Sequence, residues 1–134
     1  MASTNLPRVL VVDDNRDNAN IIRQYLGTVW GYPVTVAYDG DEALRLFESE
    51  RPSIILLDVM MPGRDGWDVC RTIKQHSEHG QNVRVIMVTA LDDMANKRQA
   101  LQTGADDFVE KPFDLSKLAA TVGRNAAALT ESAA

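Results

Sequence analysis

The chain is 134 residues long, 45% hydrophobic and 25% charged, which is the size and composition of one globular domain and not of a disordered segment. Its formal net charge of −5 argues against a nucleic-acid surface, and no apolar run approaches the roughly 20 residues of a membrane helix. The single cysteine, Cys70, excludes an internal disulfide, and Met1 to Pro7 lack a signal-peptide pattern, so a cytoplasmic location is expected.

Residues 1–7 read as an N-terminal extension. Val9 to Val12 is a short β-branched run, as expected of a strand buried on both faces. Asp14 or Asn15 can then cap a helix with the apolar stripe Ala19, Ile22 and Leu26. Val34 to Ala37 is a second strand, followed by Gly40 or Asp41 as a cap and by the stripe Ala43, Leu44 and Phe47. Ile54 to Leu57 is a third strand, closed by Asp58. Pro62, Gly63 and Gly66 let the following loop turn sharply. Val69, Cys70 and Ile73 mark a third helix, with Cys70 a small core residue. His76 and His79 are expected on the surface near its end, with too few ligands around them for a metal site. Val83 to Val88 is a fourth strand. Asp92 can cap a weaker fourth helix (Met94, Arg98, Leu101) that stops near Gly104. Phe108 and Val109 form a fifth strand, and Asp114 caps a fifth helix with the stripe Leu115, Leu118 and Val122. The last eleven residues, from Arg124, hold five alanines and read as a fraying helix end or the cut end of a longer chain.

Strands alternating with helices of this length imply right-handed βαβ units around a parallel sheet, an α/β domain of (βα)5 type, doubly wound in three layers. Ligands of such sheets bind at the carboxyl ends of the strands. Asp13 and Asp14 follow the first strand, Asp58 closes the third, Thr89 follows the fourth and Lys111 the fifth. A single Asp after a strand is ordinarily a cap, but three carboxylates converging with a lysine and a hydroxyl make a site. Carboxylates held together repel one another unless a cation lies between them, and oxygen ligands with room for water suit Mg²⁺. A carboxylate beside such an ion can attack phosphorus and become an acyl phosphate.

The stretches Val-Leu-Val-Val-Asp13-Asp14-Asn, Ile-Ile-Leu-Leu-Asp58-Val-Met-Met-Pro-Gly-Arg-Asp-Gly, Val-Thr89-Ala and Glu-Lys111-Pro-Phe closely resemble the receiver domains of two-component response regulators, chemotaxis regulators among them. The likeness runs from about Arg8 to about Val122, so residues 8–122 are assigned to a receiver domain and 123–134 to the end of the last helix and a tail. Separations of 44 residues from Asp14 to Asp58, 31 to Thr89 and 22 to Lys111 also fit the family. The resemblance implies a flavodoxin-like five-stranded sheet of order 2-1-3-4-5. It implies that Asp58 accepts a phosphoryl group from a phosphohistidine on a histidine kinase or phosphotransfer protein. Mg²⁺ would be held by Asp14, Asp58 and the backbone carbonyl of Met60, with Asp13 acting largely through metal-bound water. Lys111 and Thr89 would bind phosphoryl oxygens, and Phe108 would turn inward as the aromatic switch. The bond from Lys111 to Pro112 would be the family's cis peptide.

The signal would leave through the face of the fourth helix, fifth strand and fifth helix, toward a downstream partner, an output domain or a second copy of the chain. Arg98, Lys97 and Lys117 lie there, but helical faces carry such charges routinely. No direct nucleic-acid or membrane partner is expected, and no effector region is read after residue 122. The chain would catalyse only its own phosphorylation and dephosphorylation. Met60 and Leu91, two residues after Asp58 and Thr89, depart from the best-studied members of the resembled family, in which these positions influence how readily water attacks the phosphoryl group. Both are apolar and cannot orient a water, so the resemblance implies slow self-dephosphorylation.

Rival readings fare less well. A dehalogenase-type aspartyl phosphatase needs a second Asp where Met60 stands. A flavin-mononucleotide carrier needs a phosphate cradle where Asp13 and Asp14 would repel one, and no P-loop sequence occurs. A receiver-like scaffold that is never phosphorylated would typically have lost an acidic residue or the lysine, and all five groups are present.

Overall fold

The computed structural model describes residues 6–76, 80, 82–89, 98, 102–111 and 114–133, with side chains as far as 129. The expected elements that fall elsewhere, including most of the fourth helix, lie outside the described residues, as do His79, Leu91, Asp92, Met94, Lys97, Leu101 and Pro112. The strands are β1 (Val9–Val12), β2 (Val34–Ala37), β3 (Ile54–Asp58), β4 (Arg84–Thr89) and β5 (Asp107–Glu110). The helices are α1 (Arg16–Gln24), extended by a π-helix (Tyr25–Val29), then α2 (Gly40–Glu50), α3 (Gly66–Lys74) and the C-terminal helix α4 (Leu115–Ala133), which is the fifth helix of the sequence reading.

All five strands pair in parallel in the order β2-β1-β3-β4-β5. The two-residue period of a strand divides its side chains between two cores. Leu10, Val12, Ile55, Leu57, Val85 and Met87 pack on one face with Ala43 and Phe47 of α2 and Val69, Cys70 and Ile73 of α3. Val9, Val11, Ile54, Leu56, Ile86 and Val88 pack on the other with Ala19 and Ile22 of α1 and Leu118 and Val122 of α4. A sheet sealed on both faces explains the unbroken apolar strand sequences. It also leaves its carboxyl edge as the natural place for polar chemistry. Truncating a core side chain such as Leu57 would cost about 2–5 kcal/mol.

The helix starts follow local chemistry, with one correction. Asn15 caps α1 by accepting the Asn18 N–H at 3.0 Å, and Asp114 caps α4 by accepting the Lys117 N–H at 2.7 Å. For α2 the cap is neither Gly40 nor Asp41 but Asp39, whose carboxylate accepts the Glu42 N–H at 2.7 Å. Gly40 is drawn into the helix because it abuts Arg64 and Val69, where a Cβ would stand 2.9 Å from the Val69 side chain. Gly104 has φ +89°, in keeping with a helix stop there.

The last helix continues into the final residues, as expected: α4 runs on through Ala133, and its turn at Arg124 and Asn125 is anchored to the body of the domain. Asn125 is fully buried; its amide donates to Asp107 Oδ2 and to the Thr121 carbonyl (2.9 and 2.8 Å) and accepts from Arg84 Nε at 2.9 Å. Arg124 pairs with the same Asp107 at 2.8 Å. Beside them Lys74 of α3 reaches Asp106 at 2.6 Å, and Asp106 accepts the Val85 N–H at 2.8 Å. These bonds tie α3, β4, β5 and α4 together at the amino ends of the strands, opposite the acidic edge.

Candidate functional site

Parallel pairing brings the strand ends named by the sequence to one edge. Oxygens of Asp13, Asp14 and Asp58 lie within 4.8 Å of one another. Asp13 and Asp58 are 8% and 4% exposed, whereas Asp14 is open to solvent. Asp58 sits on the central strand, where Oδ1 accepts the Lys111 ammonium at 3.0 Å and the Met60 N–H at 3.2 Å. Both donors meet the same oxygen, and Oδ2 takes no hydrogen bond from the described residues. Lys111 is delivered by the β4–β5 pairing, its N–H donating to the Thr89 carbonyl at 2.8 Å. Thr89, 4% exposed, is one residue beyond Val88, the cross-strand partner of Asp58. Phe108 is half-buried on edge strand β5, opposite Met87, and packs against the core shared with α2 and α3.

The electrostatics are those of an underneutralised pocket. Burial pushes the Asp13 carboxyl above its ordinary value. A hydrogen bond from the Asn15 N–H pulls it back, Asp58 raises it, Lys111 lowers it and Asp14 raises it again. Three formal carboxylates against one ammonium leave two negative charges, which an oxygen-preferring divalent cation would cancel. The donor set therefore fits Mg²⁺, with Asp14 on the solvent-exposed side of the cluster.

Several supports were not visible in the sequence. Gly66 packs its α-carbon so tightly that a Cβ would stand 2.3 Å from the Asp58 carbonyl oxygen. Its N–H donates to the Val59 carbonyl at 3.1 Å, closing the loop that follows Asp58. Arg64 spans that loop, reaching Asp41 of α2 at 3.0 Å and Asp68 of α3 at 2.7 Å. Arg16 lies 4.0 Å over the Tyr38 ring, bracing α1 against the end of β2. His76 is not a free surface residue, since it pairs with Glu48 and meets the Phe47 ring edge-on at 5.2 Å. Long-range approaches of this kind leave no periodicity for sequence reading to detect.

Comparison with known proteins agrees with this geometry. A family model described as the response regulator receiver domain matches residues 9–123. The chain is 44% identical over 115 residues to the Probable transcriptional regulator ycf27 of Guillardia theta, covering 86% of this chain and 43% of that protein. It is 42% identical over 118 residues to the namesake of Cyanophora paradoxa, covering 88% and 47%. The chain thus spans about half the length of the curated relatives it matches. Among solved structures, the receiver domain of Francisella response regulator 1452 is 35% identical, with TM-score 0.79 over 90% of this chain and 96% of that one. The signal receiver domain of a signal transduction histidine kinase from Syntrophus aciditrophicus is 32% identical, with TM-score 0.81 over 91% of each chain. Receiver domains typically take Mg²⁺ at an acidic pocket, of which Asp13, Asp14 and Asp58 form an instance. The chain belongs to the receiver domain family of two-component response regulators.

Proposed function

We propose that this receiver is a phosphorylation-activated switch in which Asp58 takes a phosphoryl group from the phosphohistidine of a histidine kinase or phosphotransfer protein. The observation that carries the reading is the Asp58 carboxylate, nearly buried at the end of the central strand, with Lys111 on one oxygen and two further carboxylates within 4.8 Å. Mg²⁺ held by Asp13, Asp14, Asp58 and the Met60 carbonyl would supply charge neutralisation for the incoming group.

An Asp58 oxygen attacks phosphorus while the phosphorus–nitrogen bond to the donor histidine breaks. Lys111, already 3.0 Å from Asp58, turns its ammonium to donate to a phosphoryl oxygen, and the Thr89 hydroxyl donates to another. Movement of Thr89 vacates space for Phe108 to turn inward. That favours a pre-existing active arrangement of the face that includes β5 and α4, which then engages a downstream protein, an output domain or a second copy. The longer curated relatives, named as transcriptional regulators, favour an output domain as recipient. Apolar Met60 and Leu91 orient no water, so the phosphorylated state persists. Catalysis is confined to the chain's own phosphorylation and hydrolysis. The residue assignments, the domain limits 8–122 and the cis bond at Pro112 belong to this proposal.

Acetyl phosphate with Mg²⁺, followed by intact mass, tests it. One phosphoryl group on the parent, none on Asp58→Asn and none without metal is the expected result. Folded parent that stays unmodified beside a receiver known to accept the same donor would instead favour a scaffold, and loss of the group within seconds would refute the slow hydrolysis.

A further inference from the structure

Met60 combines three properties that the switch mechanism does not require together. The residue is 75% exposed, it stands two residues after Asp58, and its own N–H is bonded to the Asp58 carboxylate at 3.2 Å. The other methionines among the described residues, Met61 and Met87, are 8% and 0% exposed. Cys70 does not compete as an oxidant target, being fully buried with its thiol bonded to the Thr103 carbonyl. Among the described residues, the solvent-exposed thioether of Met60, two residues from Asp58, is therefore the sulfur that an aqueous oxidant meets first.

We propose that Met60 is a site of reversible oxidation by a peroxide, and that its sulfoxide shortens the life of the phosphorylated switch. The proposal rests on Asp58 being the acceptor. In the step, the thioether sulfur attacks one oxygen of hydrogen peroxide. The oxygen–oxygen bond breaks, a sulfur–oxygen bond forms, and the second oxygen leaves as water. Sulfur is oxidised by two electrons and the peroxide is reduced by two. An apolar side chain beside the phosphoryl group thereby becomes a strong hydrogen-bond acceptor that can hold a water there. One added net hydrogen bond to the attacking water would speed hydrolysis by about two- to tenfold. Methionine sulfoxide reductase would reverse the change, acting on both sulfoxide epimers with its two enzyme classes.

The test treats folded protein with graded hydrogen peroxide, maps the added oxygen by peptide mass spectrometry, and measures phosphoaspartate lifetime before and after. Met60→Leu, which has no sulfur to oxidise, is compared only with itself across the same treatment. The expected result is oxygen on Met60 before Met61 or Met87, a shortened lifetime in the parent, and an unchanged ratio in Met60→Leu. Reductase treatment restores the parent. Oxidation of Met60 no faster than of Met61, or full oxidation with an unaltered lifetime, overturns the proposal. Untreated parent that never takes a phosphoryl group overturns the switch reading itself, so the two failures are distinguishable.

Discussion

Replacing Gly66 by alanine is expected to damage the acidic site through the backbone alone. The new Cβ would stand 2.3 Å from the Asp58 carbonyl oxygen and 2.8 Å from the Val59 α-carbon, against the 3.4 Å at which ordinary contact begins. About 1 Å of displacement is needed, and the atoms in the way are backbone, which cannot swing aside as a side chain would. Overpacking of this kind costs about 1–3 kcal/mol. The gain in helix propensity offsets little of it, because Gly66 is the first residue of α3. With an unfolding entropy of about 2.1 cal/mol/K per residue, Tm falls by roughly 4–10 °C. The same change at Gly123 in α4 meets nothing within 4 Å and should add about 0.5–1 kcal/mol, raising Tm by roughly 2–4 °C. Circular dichroism melts supply the stabilities, and Mg²⁺-dependent phosphoryl uptake by intact mass reports on Asp58. Gly66→Ala melting at or above the parent with full uptake would refute the reasoning, as would equal damage at the two glycines.

Asp13 should make the metal-free fold pH-sensitive. Burial first, then Asp58 and Asp14, hold its carboxyl above the ordinary 3.8, so the native state keeps the proton to higher pH than the unfolded chain. The ionised group therefore weakens the fold above the shifted value, and that penalty vanishes as pH falls toward 3.8. Without metal at pH 7, Asp13→Asn should be more stable than the parent by roughly 1–2 kcal/mol, mainly because a buried charge is removed and secondarily because its repulsion from Asp58 goes with it. The advantage should fade on acidification, and Mg²⁺ should stabilise the parent more than the variant. Asn125→Leu, read by denaturant unfolding, should cost about 2–4 kcal/mol, because Arg84 and Asp107 lose buried partners. Cys70, whose thiol burial pushes up, should resist a disulfide reagent in the folded chain and react promptly in denaturant.

The strands and the acidic edge were legible because one physical rule governs both. A parallel sheet sealed on two faces needs continuous apolar runs, and it delivers every strand's last residue to the same side. Val9–Val12 and Val34–Ala37 were read to the residue, and β3, β4 and β5 to within one. The cap of α2 was misread because Asp39, Gly40 and Asp41 are all competent, and the choice is made by the contact of Gly40 with Arg64 and Val69, far along the chain. The π-helix at Tyr25–Val29 and the Arg64 bridge escaped for the same reason, being settled by tertiary packing. The alanine-rich end looked featureless because Asn125 carries its weight through a single buried amide, which has no pattern to repeat.

That buried amide has a mechanical consequence. It clamps β5 at its first residue, Asp107, while Lys111 lies four residues on, roughly 13 Å away along an extended strand. The Thr89 carbonyl holds the Lys111 N–H at the other end, but the side-chain clamp acts only at the root, so a pull on Lys111 would bend the strand more at its tip than at its root. Strand β5 is also an edge strand with a neighbour on one side only, so no second ladder of backbone hydrogen bonds restrains its outer side. Phe108, next to the root, would tilt through a small arc, while the surface around Glu110 and Lys111 travels furthest. Stiffness graded in this way would let a change of charge at Asp58, felt through Lys111, shift one rim of the molecule more than the root of the strand on which it sits.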